Sequence, residues 1–117
     1  MIFELWYYRA NLPNNGGIKT RPVLIIGDDT ENGLTIIDIH YCIVSASSQV
    51  GNYDVVIDDI TAKNIGLSKR SIIKTTKIYT GSKRLLENKI ADLPQEQKEE
   101  FLIKFKDYQT KLINKLI

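Results

Sequence analysis

The residues best suited to chemistry lie at 19–26, in the run Lys19-Thr20-Arg21-Pro22-Val23-Leu24-Ile25-Ile26. Arg21 follows a Gly-containing stretch and opens an apolar run, so a strand holds one side of it while the other stays accessible. Its planar guanidinium can grip two phosphate oxygens at once, which a lysine point charge cannot. Other candidates carry less. Gly16-Gly17-Ile18-Lys19-Thr20 contains a Lys-Thr pair but lacks the Gly-x4-Gly-Lys spacing of a phosphate loop. The segment 28–39 has the length of a calcium loop, yet its twelfth position is Ile39 rather than a glutamate. Asp28, Asp29 and Glu31 therefore read as a solvated turn tip, and Asp58-Asp59 as a helix cap. One histidine (His40) and one cysteine (Cys42) cannot supply the ligands of a zinc site, so neither a metal nor another cofactor is expected. His40 reads as a structural strand residue. Cys42, with no neighbour placed to lower its pKa, reads as buried filler. Trp6, Tyr7 and Tyr8 could stack on bases, but their strand position favours core or dimer packing.

Charge narrows the class of partner. Residues 1–58 hold three basic against seven acidic side chains, a balance of −4, whereas residues 59–117 reach +6. Within 63–89 the balance is +7, with Lys63, Lys69, Arg70, Lys74, Lys77, Lys83, Arg84 and Lys89 against Glu87 alone. Such clustering builds a positive potential that attracts phosphates or acidic peptides, although a solubilising surface needs the same residues. With 117 residues, 43% apolar and 26% charged, the chain fits one folded domain spanning 1–117. No apolar run approaches the roughly 20 residues needed to span a bilayer. Met1-Ile2-Phe3-Glu4 lacks a basic segment before an apolar core, so no secretory signal is expected. A single cysteine allows no intrachain disulfide, and the reducing cytoplasm is the expected compartment.

The elements that must position Arg21 are mostly strands. Aromatic-rich 3–9 suits a pleated, half-buried surface. Residues 11–20, with Pro13, Asn14, Asn15, Gly16 and Gly17, predict a flexible loop, and 21–27 a strand opened by Pro22. Residues 28–33 carry hairpin-turn chemistry ending in Asn32-Gly33, with a partner strand over 34–45. A polar loop leads to a short strand at 53–58, and 59–66 predicts one or two helical turns between an aspartate cap and Gly66. Residues 71–80 predict a strand, while 83–93 is ambiguous between a helix and a last strand. Phe101, Phe105, Tyr108 and Leu112, widened by Leu102, Ile113 and Leu116, recur at helical spacing after Pro94. The pattern predicts a mainly β fold, a small antiparallel β-barrel covered by a C-terminal amphipathic α-helix.

On the strand Arg21-Pro22-Val23-Leu24-Ile25-Ile26 after its Gly-containing loop, the chain resembles the MazF/PemK toxins of type II toxin–antitoxin modules. Ile43-Val44-Ser45-Ala46 is similar to the family's Pro-Ile-Thr-Ser stretch, and Gly66-Leu67-Ser68-Lys69-Arg70-Ser71 to its Leu-x-x-x-Ser strand start. Lys77, Ile78 and Thr80, then 83–93 before Pro94, continue the likeness in order over nearly the whole chain. The resemblance implies an SH3-like barrel of the kind shared with CcdB. It also implies a metal-independent endoribonuclease, or mRNA interferase, that cuts single-stranded RNA to leave 2′,3′-cyclic phosphate and 5′-hydroxyl ends.

In that reading Arg21 and Ser45 are the catalytic residues, Ser45 standing where the family has threonine, with Ser47 as a second candidate hydroxyl. Lys19 and Thr20 from the loop, Ser47, and Lys74 and Lys77 on the basic strand would position RNA. The family's loop glutamate has no counterpart, since 12–20 contains no acid. The resemblance further implies a homodimer whose groove holds RNA, and a cognate antitoxin whose acidic, disordered tail occupies that groove. Two alternatives stay open: a non-catalytic SH3-like interaction module, and a CcdB-like toxin that binds gyrase.

Overall fold

Strand β2 (Ile18–Asp28) runs through the middle of the sheet, and its apolar centre is buried on both faces. Val23 and Ile25 point into one cluster and Leu24 into the other, which explains a continuous Val-Leu-Ile-Ile run in place of alternation. A computed structural model describes residues 1–11, 18–35 and 37–117. The predicted loop core at 12–17 lies outside them.

Six strands form one antiparallel sheet in the order β4-β5-β3-β2-β1-β6, curled into a half-barrel. Beside β2 these are β1 (Glu4–Asn11), β3 (Asp38–Ser45), β4 (Val55–Ile57), β5 (Ser71–Ser82) and β6 (Leu86–Asp92). The ambiguous segment 83–93 is thus a short 3-10 turn followed by an edge strand. Two helices complete the fold, α1 (Asp59–Ile65) and α2 (Gln95–Leu116). Asp58 caps α1 by accepting the Thr61 N–H at 2.8 Å, and Gly66 ends it at φ 101°, a conformation that an L side chain resists.

The larger core lies between the sheet and the helices, where Leu5, Leu24, Cys42, Val44, Ile57, Ile73 and Leu93 meet Phe101 of α2. The smaller core, on the opposite face, stacks Tyr8 on Tyr41 at 4.7 Å with Val23, Ile25 and Ile39 around them. Tyr8 donates its hydroxyl to the Ser82 carbonyl at 3.1 Å, satisfying the buried polar end. Helix α2 is pinned through Lys104, whose ammonium donates to the Asp54 carbonyl at 2.6 Å and pairs with Glu100 at 2.8 Å.

Three local expectations change. The segment 28–33 is not a two-residue hairpin turn. Asp28 accepts the Thr30 N–H and caps a 3-10 helix over Asp29–Asn32, and only Gly33 takes a positive φ. Pairing resumes at Asp28↔Ile39, so β3 begins at Asp38 rather than 34. The apolar stripe of α2 is also only half used. Phe101 is buried, whereas Leu102, Ile113 and Leu116 are exposed, because 22 helical residues span about 33 Å and the three of β4 only about 10 Å. Finally, Lys19 and Thr20 belong to β2 rather than to the preceding loop.

Leu24, fully buried between three strands and the helix layer, should lose about 2–5 kcal/mol on Leu24→Ala in urea unfolding. A loss below about 1 kcal/mol would contradict this packing. Burial pushes the Cys42 thiol up to about 12. Native protein at pH 8 should therefore resist an aromatic disulfide reagent that labels the urea-unfolded chain promptly.

Candidate functional site

The Val23↔Ile43 pairing, continued by one pleat, carries the ends of two strands toward each other, Arg21 on β2 and Ser45 on β3. Pro22 shapes this end of the sheet. It has no N–H to donate, and pairing between β2 and β3 begins only at Val23↔Ile43. Where the strands part, a cleft of ≈ 240 Å³ opens, and both Arg21 and Ser45 line it. Tyr7, Ser68, Lys69 and Ser71 complete its polar rim, with Leu67 and Val44 below. No carboxylate is among the lining residues, which include two cationic side chains, Arg21 and Lys69.

Local turns orient the hydroxyl. Ser45 Oγ accepts the Ser47 N–H at 3.2 Å, and Ser47 Oγ accepts the Gln49 N–H at 3.1 Å. Each serine thereby commits a lone pair to the backbone and keeps its O–H to donate elsewhere. Arg21 is half-buried and is paired across the ladder with Tyr8 of β1. An arginine fork and an O–H donor lining one cleft suit an anion with several oxygens.

The remaining predicted residues divide. Ser47 stands on the exposed turn immediately beyond Ser45. Lys19 and Thr20 are exposed on β2, and Thr20 Oγ1 donates to Glu87 Oε1 of β6 at 2.6 Å. Lys74 and Lys77 line a separate groove of ≈ 360 Å³ with Gln49 and Thr76. There Lys74 Nζ pairs at 2.9 Å with the buried Asp54, which also accepts the Gly51 N–H at 2.7 Å. Lys77 is exposed.

Ser68 and Lys69 line the cleft and were not among the site residues expected from the sequence. Lys69 had a signal, since it falls in the basic stretch. Nothing local pairs it with Arg21, from which two strands, β3 and β4, and helix α1 separate it along the chain. His40 bridges Asp29 at 3.2 Å and Thr80 at 3.0 Å, the structural role expected of it. Among the described residues no group of three or more His, Cys, Asp or Glu could hold a metal ion. No helix among them is long and apolar enough to cross a membrane.

Comparison with known proteins now bears on this geometry. Among solved structures, the Mycobacterium tuberculosis toxin MazF-mt6 superposes with a TM-score of 0.65 at 18% identity, covering 87% of this chain and 93% of that one. The MazF of a MazE–MazF structure from Deinococcus radiodurans gives 0.69 at 18% identity, covering 93% and 94%. An endoribonuclease from a mycobacterial species, solved in complex with its cognate antitoxin, gives 0.64 at 14% identity, covering 90% and 89%. These likenesses establish the fold. No curated protein sequence matches the chain. Residues 3–108 match the family described as PemK-like, MazF-like toxin of type II toxin–antitoxin system. With that match over nearly its whole length, the chain belongs to the PemK-like, MazF-like toxins of type II toxin–antitoxin systems.

Proposed function

We propose that this toxin is an endoribonuclease that cleaves single-stranded RNA without a metal ion, with Arg21 and Ser45 acting on the scissile phosphate. The observation that carries the reading is the convergence of both side chains on one open cleft without a carboxylate. At ≈ 240 Å³ the cleft is smaller than the roughly 300–1,000 Å³ of pockets that engulf a small molecule. It suits a chain lying across it with a phosphate seated inside.

RNA carries its own nucleophile. The 2′-oxygen forms a bond to the adjacent phosphorus, the bond to the 5′-oxygen breaks, and the 2′ proton is lost while the leaving oxygen gains one. The products are a 2′,3′-cyclic phosphate and a 5′-hydroxyl. Negative charge builds on the non-bridging oxygens during this exchange. Arg21 meets that charge with two parallel N–H donors and Ser45 with its O–H, both held in place before substrate arrives. Arg21 serves through its charge and its paired N–H donors rather than as the base.

The toxin acts in this reading as a homodimer in the cytoplasm, and half-buried Trp6, Tyr79 and Leu86 around the Tyr8–Tyr41 stack offer apolar surface for a second copy. Its inhibitor is a cognate antitoxin with an acidic disordered tail that competes for the positive cleft. The MazE–MazF and endoribonuclease–antitoxin structures of the fold relatives support such a partner.

Induced expression in bacteria followed by mapping of RNA ends tests the proposal. Growth arrest with discrete cuts bearing 5′-hydroxyl ends is expected, and arrest with intact RNA would contradict it. With purified protein, Arg21→Ala and Ser45→Ala should each slow cleavage by about 10²–10³, the usual cost of removing one preorganised donor. Arg21→Lys keeps the charge but loses the fork, and should also fall by at least about tenfold. A near-wild-type Arg21→Lys rate would show that charge alone suffices. Cleavage should persist in EDTA.

A further inference from the structure

Opposite Arg21 and Ser45, the cleft is walled by the connection between α1 and β5, which contributes Ser68 and Lys69. This connection is short and braced at both ends. Gly66 turns the chain out of α1, and the Leu67 N–H donates to the Ala62 carbonyl at 2.8 Å while the Leu67 side chain is buried. At the far end, the Arg70 N–H donates to Asp59 Oδ1 at 2.8 Å, and Ser71 Oγ donates to the Lys69 carbonyl at 2.9 Å. The backbone that bears Lys69 is therefore fixed on either side of an exposed cation.

The charge of Lys69 is not consumed. Lys74, Lys89 and Lys104 each pair with a carboxylate, whereas Lys69 makes no ion pair among the described residues. Asp59, the first residue of α1, accepts the Arg70 N–H. Two cations on one small cleft repel each other, and a bound polyanion relieves that repulsion. Ordering the cation beforehand also lowers the entropy lost when substrate binds.

We infer that the α1–β5 connection is the second wall of the substrate site, with Lys69 a positioning residue that holds a phosphate flanking the one gripped by Arg21. This rests on the RNA-cleaving reading above. A single strand of RNA would cross from the β2–β3 side to the α1 side, its backbone held at two points. Ser68, exposed on the same wall, faces the sugar and base between them.

The test compares wild type with Lys69→Ala, with Lys106→Ala on the exposed face of α2 as the charge-matched control. Binding of a mixed-sequence 2′-O-methyl RNA, which cannot be cut, is titrated by fluorescence anisotropy across a series of salt concentrations. Lys69→Ala should weaken binding about tenfold, as for one lost charged hydrogen bond, and make the salt slope shallower by about 0.7, as for one lost phosphate contact. On cleavable RNA its KM should rise while kcat holds, and Lys69→Arg should restore KM. The Lys106→Ala protein should match wild type. Unchanged affinity and slope for Lys69→Ala would overturn the inference. So would a defect confined to a synthetic Asp/Glu-rich peptide, which would make Lys69 an antitoxin contact. Wild-type protein that neither binds nor cuts RNA would overturn the RNA-cleaving reading and this inference together, whereas a cutting wild type with an indifferent Lys69→Ala overturns this one alone.

Discussion

The register between β2 and β3 is the constraint on which the site depends. Val23↔Ile43 and Leu24↔Cys42 fix it, and burial on both faces of β2 enforces it. A slip of one residue would turn Leu24 out of the larger core and Val23 into it, and would flip every other side chain on the strand. Arg21 and Ser45 lie one pleat beyond the last fixed pair, so their separation is inherited from apolar packing rather than from any attraction between them. An arginine beside a serine at the end of a sheet would otherwise be two solvated side chains.

Arg21 and Lys69 line the cleft, and the acids with described partners lie elsewhere. Asp54 is buried and answers to Lys74 and the Gly51 N–H. Asp59 accepts the Arg70 N–H, and Glu87 accepts from Thr20. Each carboxylate stabilises a loop or a strand edge, and none lines the cleft. The same economy explains why Lys74, one of the cations in the basic stretch, sits in a different groove from Arg21. Charge counted along a sequence is not charge presented at a site.

Most of the fold was legible because its signals are local. Gly66 and Asp58 delimit α1, and the 4-3-4 spacing of Phe101, Phe105, Tyr108 and Leu112 marks α2. The apolar centre of β2 was likewise readable, and family likeness pointed to Arg21 and Ser45, which line one cleft. Three features were hidden for physical reasons. Asn32-Gly33 suggested a tight hairpin, but the Asp28 side chain captured the Thr30 N–H and favoured a 3-10 turn. Sequence placed Lys74 correctly on a strand, yet its partner Asp54 lies on a loop whose path depends on tertiary packing. Lys69 reaches the cleft, and Glu87 reaches Thr20, only through tertiary contacts that no window of residues encodes.

Cooperation of two donors on one phosphate is the central claim, and a double-mutant cycle on single-turnover cleavage measures it most directly. If Arg21 and Ser45 act as a unit, the Arg21→Ala/Ser45→Ala protein should be about as slow as Arg21→Ala alone, because the second donor has no aligned anion left to serve. Losses that multiply in full would mean that the two side chains act independently, and the account of a shared phosphate seat would be wrong.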